Sequence, residues 1–304
     1  MSTPARTGFA RSGDLDIFYE DMGNPDDPAV LLIMGLGAQL LLWRTGFCEK
    51  IVDRGYRVIR FDNRDVGLSS KLDGQRAPGS QYAGMLRSQV GRPSPAVYTL
   101  EDMSDDAAAL LDHLDIERAH VVGGSMGGMI AQVVAARHAE RTRSLGVIFS
   151  SNNQPALPPP HPKALFSLLK GPAPDSPRDV ILDNSVRVSR IIGSPGYPAP
   201  EEKLRAEAAE SYDRSFYPVG VARHFGAILG SGSLRRYNRS VSVPTVVIHG
   251  RSDKLMRPAG GKAIAKNIPG ARLVLFDGMG HDLPEPLWDP IVTELDTTFR
   301  TAAN

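Results

Sequence analysis

Ser125, the first residue whose type and surroundings could support chemistry, lies in a glycine-rich turn. It is found in Gly123-Gly124-Ser125-Met126-Gly127-Gly128, directly after the apolar run His120–Val122 and at the start of a predicted helix. A Gly-x-Ser-x-Gly sequence between a strand and a helix is typical of a nucleophilic serine, because the strained turn exposes the hydroxyl beyond the strand end. We therefore predict that Ser125 is a nucleophile above a helix N-terminus that favours negative charge.

A base and an acid for this serine follow two later strand-like runs. The run Arg272–Phe276 leads into a glycine-rich turn that contains His281, and the run Thr245–His249 is followed by Asp253. A serine hydroxyl needs a neighbouring base, and that base needs an acid that orients it. Among the seven histidines, His281 is the one in a turn beyond a suitable strand, so it is the predicted base. Asp253 is the predicted acid, with Asp277 as the nearest alternative.

Two backbone N–H groups are the predicted donors to the oxyanion that forms during acyl transfer. One belongs to Met126, which follows the predicted nucleophile. The other is expected from Leu36, in the turn after the apolar run Val30–Met34. Because a backbone donor needs no particular side chain, Gly35 and Gly37 are equally compatible with an ordinary turn.

The same turn also suggests a different protein class. A strand, Gly35-x-Gly37, a helix and a strand that leads into Asp62 resemble half of a dinucleotide-binding fingerprint. However, Leu40 occupies the position of the third glycine, and an extra strand precedes the turn. This interpretation also leaves the placement of Ser125 unexplained, so we favour the nucleophilic serine.

The elements that must position these residues are short apolar runs that alternate with helix-length segments. The strand-like runs are Asp16–Glu20, Val30–Met34, Arg57–Phe61, His120–Val122, Leu145–Phe149, Thr245–His249 and Arg272–Phe276. Helices are predicted over Leu100–Leu114, capped by Thr99, and over Met126–His138. Strands without strict alternation, separated by helices, predict an α/β fold with a mostly parallel sheet covered on both faces. The first run does alternate and is predicted to belong to an antiparallel edge, while the stretch Leu72–Val97 is predicted to be a functional or mobile loop.

The alternation stops between residues 151 and 242, where we predict a helical lid over the strand ends. Eleven of the 24 prolines fall within residues 151–200. Three helical patterns follow, over Pro177–Gly193, Glu201–Arg214 and Val219–Leu229. The predicted α/β core is then formed by residues 1–150 and 243–304, with residues 151–242 inserted into it.

The lid is also expected to determine the substrate. Its apolar residues Leu165, Phe166, Leu168 and Leu169 are too close in sequence to share one helix face. We expect some of them to face an acyl pocket, with packing of the lid on the sheet as the alternative.

Composition excludes several classes of function. In this chain of 304 residues, 35 Lys and Arg balance 34 Asp and Glu, which argues against nucleic acid as a partner. Cys48 is the single cysteine, so a disulfide framework and any CxxC metal site are excluded, and we expect a buried thiol. No metal or organic cofactor is implied.

The distribution of apolar residues indicates where in the cell the protein is expected. The N-terminal residues lack the apolar core of a signal peptide, and the longest apolar stretch, Val30–Trp43, is too short to cross a bilayer. We therefore predict a soluble cytoplasmic protein, and the composition is compatible with peripheral membrane contact.

Taken together, the motifs resemble those of the α/β-hydrolase superfamily over nearly the whole chain. Beyond Ser125, Asp253 and His281, the segment Phe61–Ser70 (FDNRDVGLSS) is similar to a structural Asp-x-Arg-x-x-Gly-x-Ser motif of that family. The combination of LLIMGLG, FDNRDVGLS, HVVGGSMGG and GMGHDLP is similar to anthracycline (aclacinomycin) methylesterases and mycobacterial carboxylesterases or lipases. One departure is Met34, where many members have histidine.

This resemblance implies a serine hydrolase with an inserted lid and no cofactor. Ser125, His281 and Asp253 would cleave a small, apolar carboxylic ester or thioester through an acyl-enzyme. Three alternatives remain: cofactor-free perhydrolysis, cleavage of a C–C bond by the same residues, and a hydrolase-fold receptor that binds a small molecule without turnover.

Overall fold

A single twisted sheet organises the part of the chain that the structure describes. The computed structural model describes residues 5–76, 79, 81–169 and 171–302, with the backbone alone for residues 81, 82, 168 and 169. Within these residues the strands are β1 (Arg6–Ser12), β2 (Leu15–Met22), β3 (Ala29–Ile33), β4 (Arg57–Phe61), β5 (Ala119–Gly124), β6 (Thr142–Ile148), β7 (Thr245–Gly250) and β8 (Arg272–Phe276). Their order is β1-β2-β4-β3-β5-β6-β7-β8. The pairs β1/β2 and β2/β4 are antiparallel, and all the others are parallel.

Helices cover both faces of this sheet. In the described residues they are α1 (Thr45–Val52), α2 (Gln81–Gln89), α3 (Leu100–His113), α4 (Met126–Arg137), α5 (Pro162–Leu169), α6 (Arg178–Ile192), α7 (Glu201–Arg214), α8 (Pro218–Ser231), α9 (Arg235–Ser240), α10 (Pro258–Asn267) and α11 (Trp288–Thr301). Successive strand residues point to opposite faces. Val121 accordingly packs with the core residues of α3 and α4, whereas Val122 packs with those of α1 and α11. Burial on both faces explains why the central strands are continuous apolar runs.

The predicted α/β class, with a mostly parallel sheet and flanking helices, is confirmed. All seven predicted strands are present, with ends that differ by up to three residues. Thr99 caps α3 as predicted, and the Asp102 side chain accepts a hydrogen bond from the Thr99 N–H in return.

The first run, Asp16–Glu20, belongs to the antiparallel edge of the sheet as predicted, but it is not the outermost strand. It belongs to β2, which lies between β1 and β4, and β1 is the edge. The sequence of β1 gives little signal because Ala10 is its only buried residue and Phe9 is 52% exposed. The stretch Leu72–Val97 also contains a helix, α2, although residues 77, 78 and 80 lie outside the described residues.

Between β6 and β7 lie α5 to α9, which we call the helical segment (residues 162–240). The predicted helices over Pro177–Gly193 and Glu201–Arg214 correspond to α6 and α7, and the third corresponds to α8. The role of the helical segment as a lid, and the core boundaries on either side of it, stay predictions. No helix within the described residues is long and apolar enough to cross a membrane.

Candidate active site

The turn between β5 and α4 holds Ser125 in a backbone conformation that is rare for a residue with a side chain. Its φ is 55° and its ψ is −121°. Three hydrogen bonds hold this strained backbone: the Ser125 N–H donates to the Ile148 carbonyl (3.0 Å), and the Ser125 carbonyl accepts from the Ser150 hydroxyl (2.6 Å) and from the Met129 N–H (3.2 Å). Such strain persists only where the surroundings enforce it. The geometry matches the strained turn predicted from the glycine-rich sequence.

A hydrogen-bonded relay connects Ser125 with His281 and Asp253. The Ser125 Oγ lies 3.0 Å from the His281 Nε2, and the His281 Nδ1 lies 2.8 Å from the Asp253 Oδ2. Since a carboxylate can only accept, Nδ1 carries the imidazole proton and leaves Nε2 free to accept from the serine hydroxyl. The Phe149 ring packs against the imidazole, with ring centroids 4.9 Å apart. The structure thus brings together the three residues predicted from separate strand ends.

Asp253 is buried and held as a carboxylate. Its Oδ1 accepts from the amides of Leu255 and Met256, at 2.8 and 2.9 Å. Burial acts to raise the pKa of Asp253, but the charge of His281 and hydrogen bonds from His249 and His281 outweigh it, so the pKa lies well below its usual range. Sequence reasoning did not find His249, whose Nε2 lies 3.4 Å from the Asp253 Oδ2. Its position four residues before Asp253, at the end of β7, was the available signal.

Asp277, the alternative acid, lies in a different environment. Its side chain is 89% exposed and pairs with Arg251 at 2.8 Å. It is therefore solvated and engaged elsewhere, whereas Asp253 contacts the imidazole of His281 directly.

The turn after β3, which contains Leu36, lies directly against Ser125. The Ala38 N–H donates to the Gly35 carbonyl (3.2 Å), which closes the turn. A Cβ on Gly35 would lie 2.9 Å from the Ser125 Cβ, so only glycine permits this approach. The Leu36 amide has no acceptor within the described part of the chain. Met126 is the first residue of α4, where the amide has no acceptor inside the helix. Both predicted donors are thus available to a ligand.

A second close approach aligns the two turns. A Cβ on Gly127 would lie 2.0 Å from the Ile33 carbonyl oxygen, so glycine lets the start of α4 contact the end of β3. The two predicted oxyanion donors are consequently presented from neighbouring strand ends, since β3 and β5 pair directly.

A cavity of about 290 Å³ extends from this turn into the helical segment. Its wall is formed by Gly37, Gln39, Leu42, Val66, Gly67, Ile181, Ser185, Ser189, Leu204, Glu207, Ala208, Ser211, Tyr212, Ser215, Phe216, Tyr217, Pro218 and Val221. Ser125, Asp253 and His281 are not part of this wall. Sequence reasoning missed these residues because they come from separate segments that meet only in the folded chain.

The four residues predicted to bind substrate belong to α5. Leu165 is partly buried and Phe166 is 55% exposed, and neither is part of the cavity wall. The side chains of Leu168 and Leu169 lie outside the described residues. Their contribution to an acyl pocket stays a prediction.

Cys48 is buried on α1, as predicted. Burial raises the pKa of its thiol to about 12, and the thiol donates to the Trp43 carbonyl at 3.5 Å. A protonated, inaccessible thiol is a poor nucleophile. Among the described residues, no group of three or more His, Cys, Asp or Glu could hold a metal ion.

The fold and this relay define an α/β hydrolase. The chain matches the model of the α/β-hydrolase fold family over residues 28–285 and belongs to that family. It is similar to the rhodomycin D methylesterase DnrP of Streptomyces peucetius, with 26% identity over 97% of this chain and 99% of the relative. The predicted similarity to anthracycline methylesterases is thereby confirmed, and the chain is a hydrolase.

Two further proteins are similar to this chain, one in sequence and one in fold. The chain is 25% identical to a 2-hydroxy-6-oxononadienedioate/2-hydroxy-6-oxononatrienedioate hydrolase of Paraburkholderia xenovorans, over 88% of this chain and 85% of the relative. Its fold is similar to that of the enol-lactonase of Burkholderia xenovorans, with a TM-score of 0.72, 24% identity, and coverage of 97% and 100% of the two chains.

Proposed function

We propose that this protein hydrolyses carboxylic esters through an acyl-enzyme on Ser125. The observation that carries the proposal is the continuous relay from the Ser125 Oγ through His281 to the Asp253 carboxylate. A second support is the strained turn of Ser125, since strain of this kind clusters at functional sites.

The first half of the proposed reaction forms the acyl-enzyme. The Ser125 Oγ bonds to the acyl carbon while the His281 Nε2 takes the hydroxyl proton. The amides of Leu36 and Met126 stabilise the negative oxygen of the tetrahedral intermediate. As that intermediate collapses, the bond to the ester oxygen breaks and the imidazolium gives its proton to the leaving alcohol. Asp253 stays ionised and stabilises the imidazolium, consistent with the low pKa of its carboxyl.

The second half releases the acid. Water attacks the acyl carbon while the His281 Nε2 takes one of its protons, and the Ser125 Oγ leaves with that proton. The amides of Leu36 and Met126 act again on the second tetrahedral intermediate.

The substrate we propose is a small, largely apolar ester or thioester. The cavity of about 290 Å³ begins beside the oxyanion turn at Gly37 and suits the part of the substrate beyond the reacting carbonyl. Ligand pockets span roughly 300–1,000 Å³, so this volume favours a small molecule. The name of the Streptomyces peucetius relative makes a methyl ester a specific candidate.

A panel of p-nitrophenyl esters from acetate to palmitate, together with methyl esters of aromatic acids, tests this proposal. We expect steady turnover by the wild type and a loss on the order of 10⁶-fold in Ser125→Ala. Wild-type rates in purified Ser125→Ala would refute the role of the serine. Stoichiometric product without later turnover, across every ester, would favour a receptor.

Cleavage of a C–C bond is the second candidate, because the Paraburkholderia xenovorans relative is named as a hydrolase of 2-hydroxy-6-oxononadienedioate and 2-hydroxy-6-oxononatrienedioate. The same panel should include such a vinylogous diketone acid. A higher kcat/KM for it than for every ester would transfer the assignment to C–C hydrolysis.

A further inference from the structure

A buried histidine of the helical segment contacts the oxyanion turn directly. His224 lies on α8 and is 0% exposed. Its Nδ1 accepts a hydrogen bond from the Gly37 amide at 3.1 Å, and its Nε2 lies 2.7 Å from the Arg64 carbonyl oxygen. The imidazole therefore connects the turn after β3 with the turn after β4.

These two partners determine the protonation state of the ring. A carbonyl can only accept, so Nε2 carries the proton, and an amide can only donate, so Nδ1 must be unprotonated. Burial is the main cause that lowers the pKa of His224 to about 4, assisted by the charges of Arg223 and Arg64 and opposed by Asp65 and by the bond to the Arg64 carbonyl. At neutral pH the ring is consequently a neutral acceptor for Gly37.

The helix that carries His224 is fixed at the neighbouring residue. Arg223 forms a bidentate pair with Asp65, with both N–O distances at 2.7 Å and both side chains buried. Tyr98 donates to the same carboxylate at 2.8 Å, and its ring packs edge-on to the His224 ring. The imidazole therefore has little freedom to move away from Gly37.

We propose that His224 is a positioning residue that aims the Leu36 amide at the oxyanion. This inference rests on the proposed function, in which Leu36 and Met126 stabilise the tetrahedral intermediate. The Gly37 N–H and the Leu36 carbonyl share one rigid peptide plane. His224 holds that plane from one side, and the hydrogen bond from the Ala38 N–H to the Gly35 carbonyl closes the turn. Together these contacts restrict the backbone rotation that would point the Leu36 amide away from the oxyanion.

The expected signature is a loss of rate at nearly constant substrate affinity. An oxyanion donor contributes mainly in the transition state, so its misalignment lowers kcat more than it raises KM. Removal of one such donor costs about 10²–10³ in kcat, and we expect a misaligned one to cost about 10- to 100-fold.

Three variants separate hydrogen bonding from packing. His224→Leu removes both bonds at similar volume, and His224→Gln keeps an acceptor and a donor about as far apart as the ring nitrogens. His120→Leu is the matched control, because His120 is also buried and bonds Ser144 at 2.7 Å, but lies at the start of β5. Turnover of p-nitrophenyl butyrate and inhibition by an alkyl boronic acid, whose serine adduct mimics the tetrahedral intermediate, are measured on variants confirmed as folded by circular dichroism.

We expect kcat to fall about 10- to 100-fold in His224→Leu, boronate affinity to fall in parallel, and both to be largely restored in His224→Gln. His120→Leu should keep wild-type kcat. With an active wild type, unchanged kcat in His224→Leu, equal losses in both Leu variants, or no restoration by Gln would each overturn the positioning role alone. Absence of turnover by the wild type across the ester panel would overturn the proposed function and this inference together.

Discussion

The carboxyl edge of the sheet and the helical segment both contribute to the candidate active site, but they do so through interactions of different range. At the sheet edge, Ser125, Asp253 and His281 each follow a strand by no more than five residues. Their positions are set locally, because parallel strands deliver the following turns to the same edge.

The helical segment acts on the same turns from a distance in sequence. The His281 amide donates to the Ile192 carbonyl at 2.8 Å, and the Gly280 amide donates to the Ser194 hydroxyl at 2.8 Å. On the other side of the site, His224 accepts from the Gly37 amide. The sheet edge therefore carries Ser125, Asp253 and His281, and the helical segment holds two turns, the one that contains His281 and the one that contains Leu36. Three predictions test this division of roles.

The largest effect is expected at the sheet edge. Asp253→Asn should lower ester turnover about 10⁴-fold, or about 5.5 kcal/mol, because the amide cannot stabilise the imidazolium and favours the wrong tautomer of His281. Asp277→Asn is the matched control and should stay within twofold, since Asp277 is exposed and paired with Arg251. The measurement is kcat/KM of both purified variants on the same ester. The reverse ranking would make Asp277 the acid.

A smaller effect, on the free energy of unfolding, is expected at the buried Arg223–Asp65 ion pair that anchors the helical segment. Arg223→Met leaves the Asp65 carboxylate buried without its cation, which should lower the free energy of unfolding by about 3–5 kcal/mol. Arg205→Met is the control on the same segment, where the Arg205 side chain is 42% exposed and pairs with exposed Asp179. It should cost about 0–1 kcal/mol. Urea denaturation measures both, and equal losses would contradict a buried anchor.

The smallest effect concerns acid stability, and it compares two buried histidines, His120 at the start of β5 and His224 on the helical segment. Burial lowers the pKa of both His120 and His224 to about 4, from an ordinary value of 6.5. Below pH 6.5 the unfolded chain binds protons that the folded chain does not, so these residues make stability fall as the pH falls towards 4.

His120→Gln and His224→Gln should therefore each reduce this slope by about 1.4 kcal/mol per pH unit between pH 6.5 and 4. Unfolding at a series of pH values provides the measurement. An unchanged slope in either variant would mean that the histidine is already protonated in the folded chain. The two histidines should thus agree in acid stability and differ in turnover, where His224→Leu is expected to lower kcat and His120→Leu is not.

The same contrast explains how far the sequence allows prediction. Ser125, Asp253 and His281 were predictable because each is marked by an adjacent apolar strand and a glycine or short polar turn. The partnership of His224 with Gly37 and that of Arg223 with Asp65 were not, because they join residues 187 and 158 positions apart. Nothing in the local sequence distinguishes His224 and Arg223 from other side chains of an amphipathic helix. Strand β1 was missed for a different reason, since only Ala10 is buried in it.

The most direct test of the central proposal is to observe the acyl-enzyme. Wild-type protein mixed with excess p-nitrophenyl butyrate should release a burst of p-nitrophenolate close to one equivalent per active site, provided that deacylation is slower than acylation. Acid quenching followed by peptide mass spectrometry should then place a butyryl group on the peptide that contains Ser125. Turnover of the ester with the acyl group on another residue, or undiminished turnover in Ser125→Ala, would contradict the account.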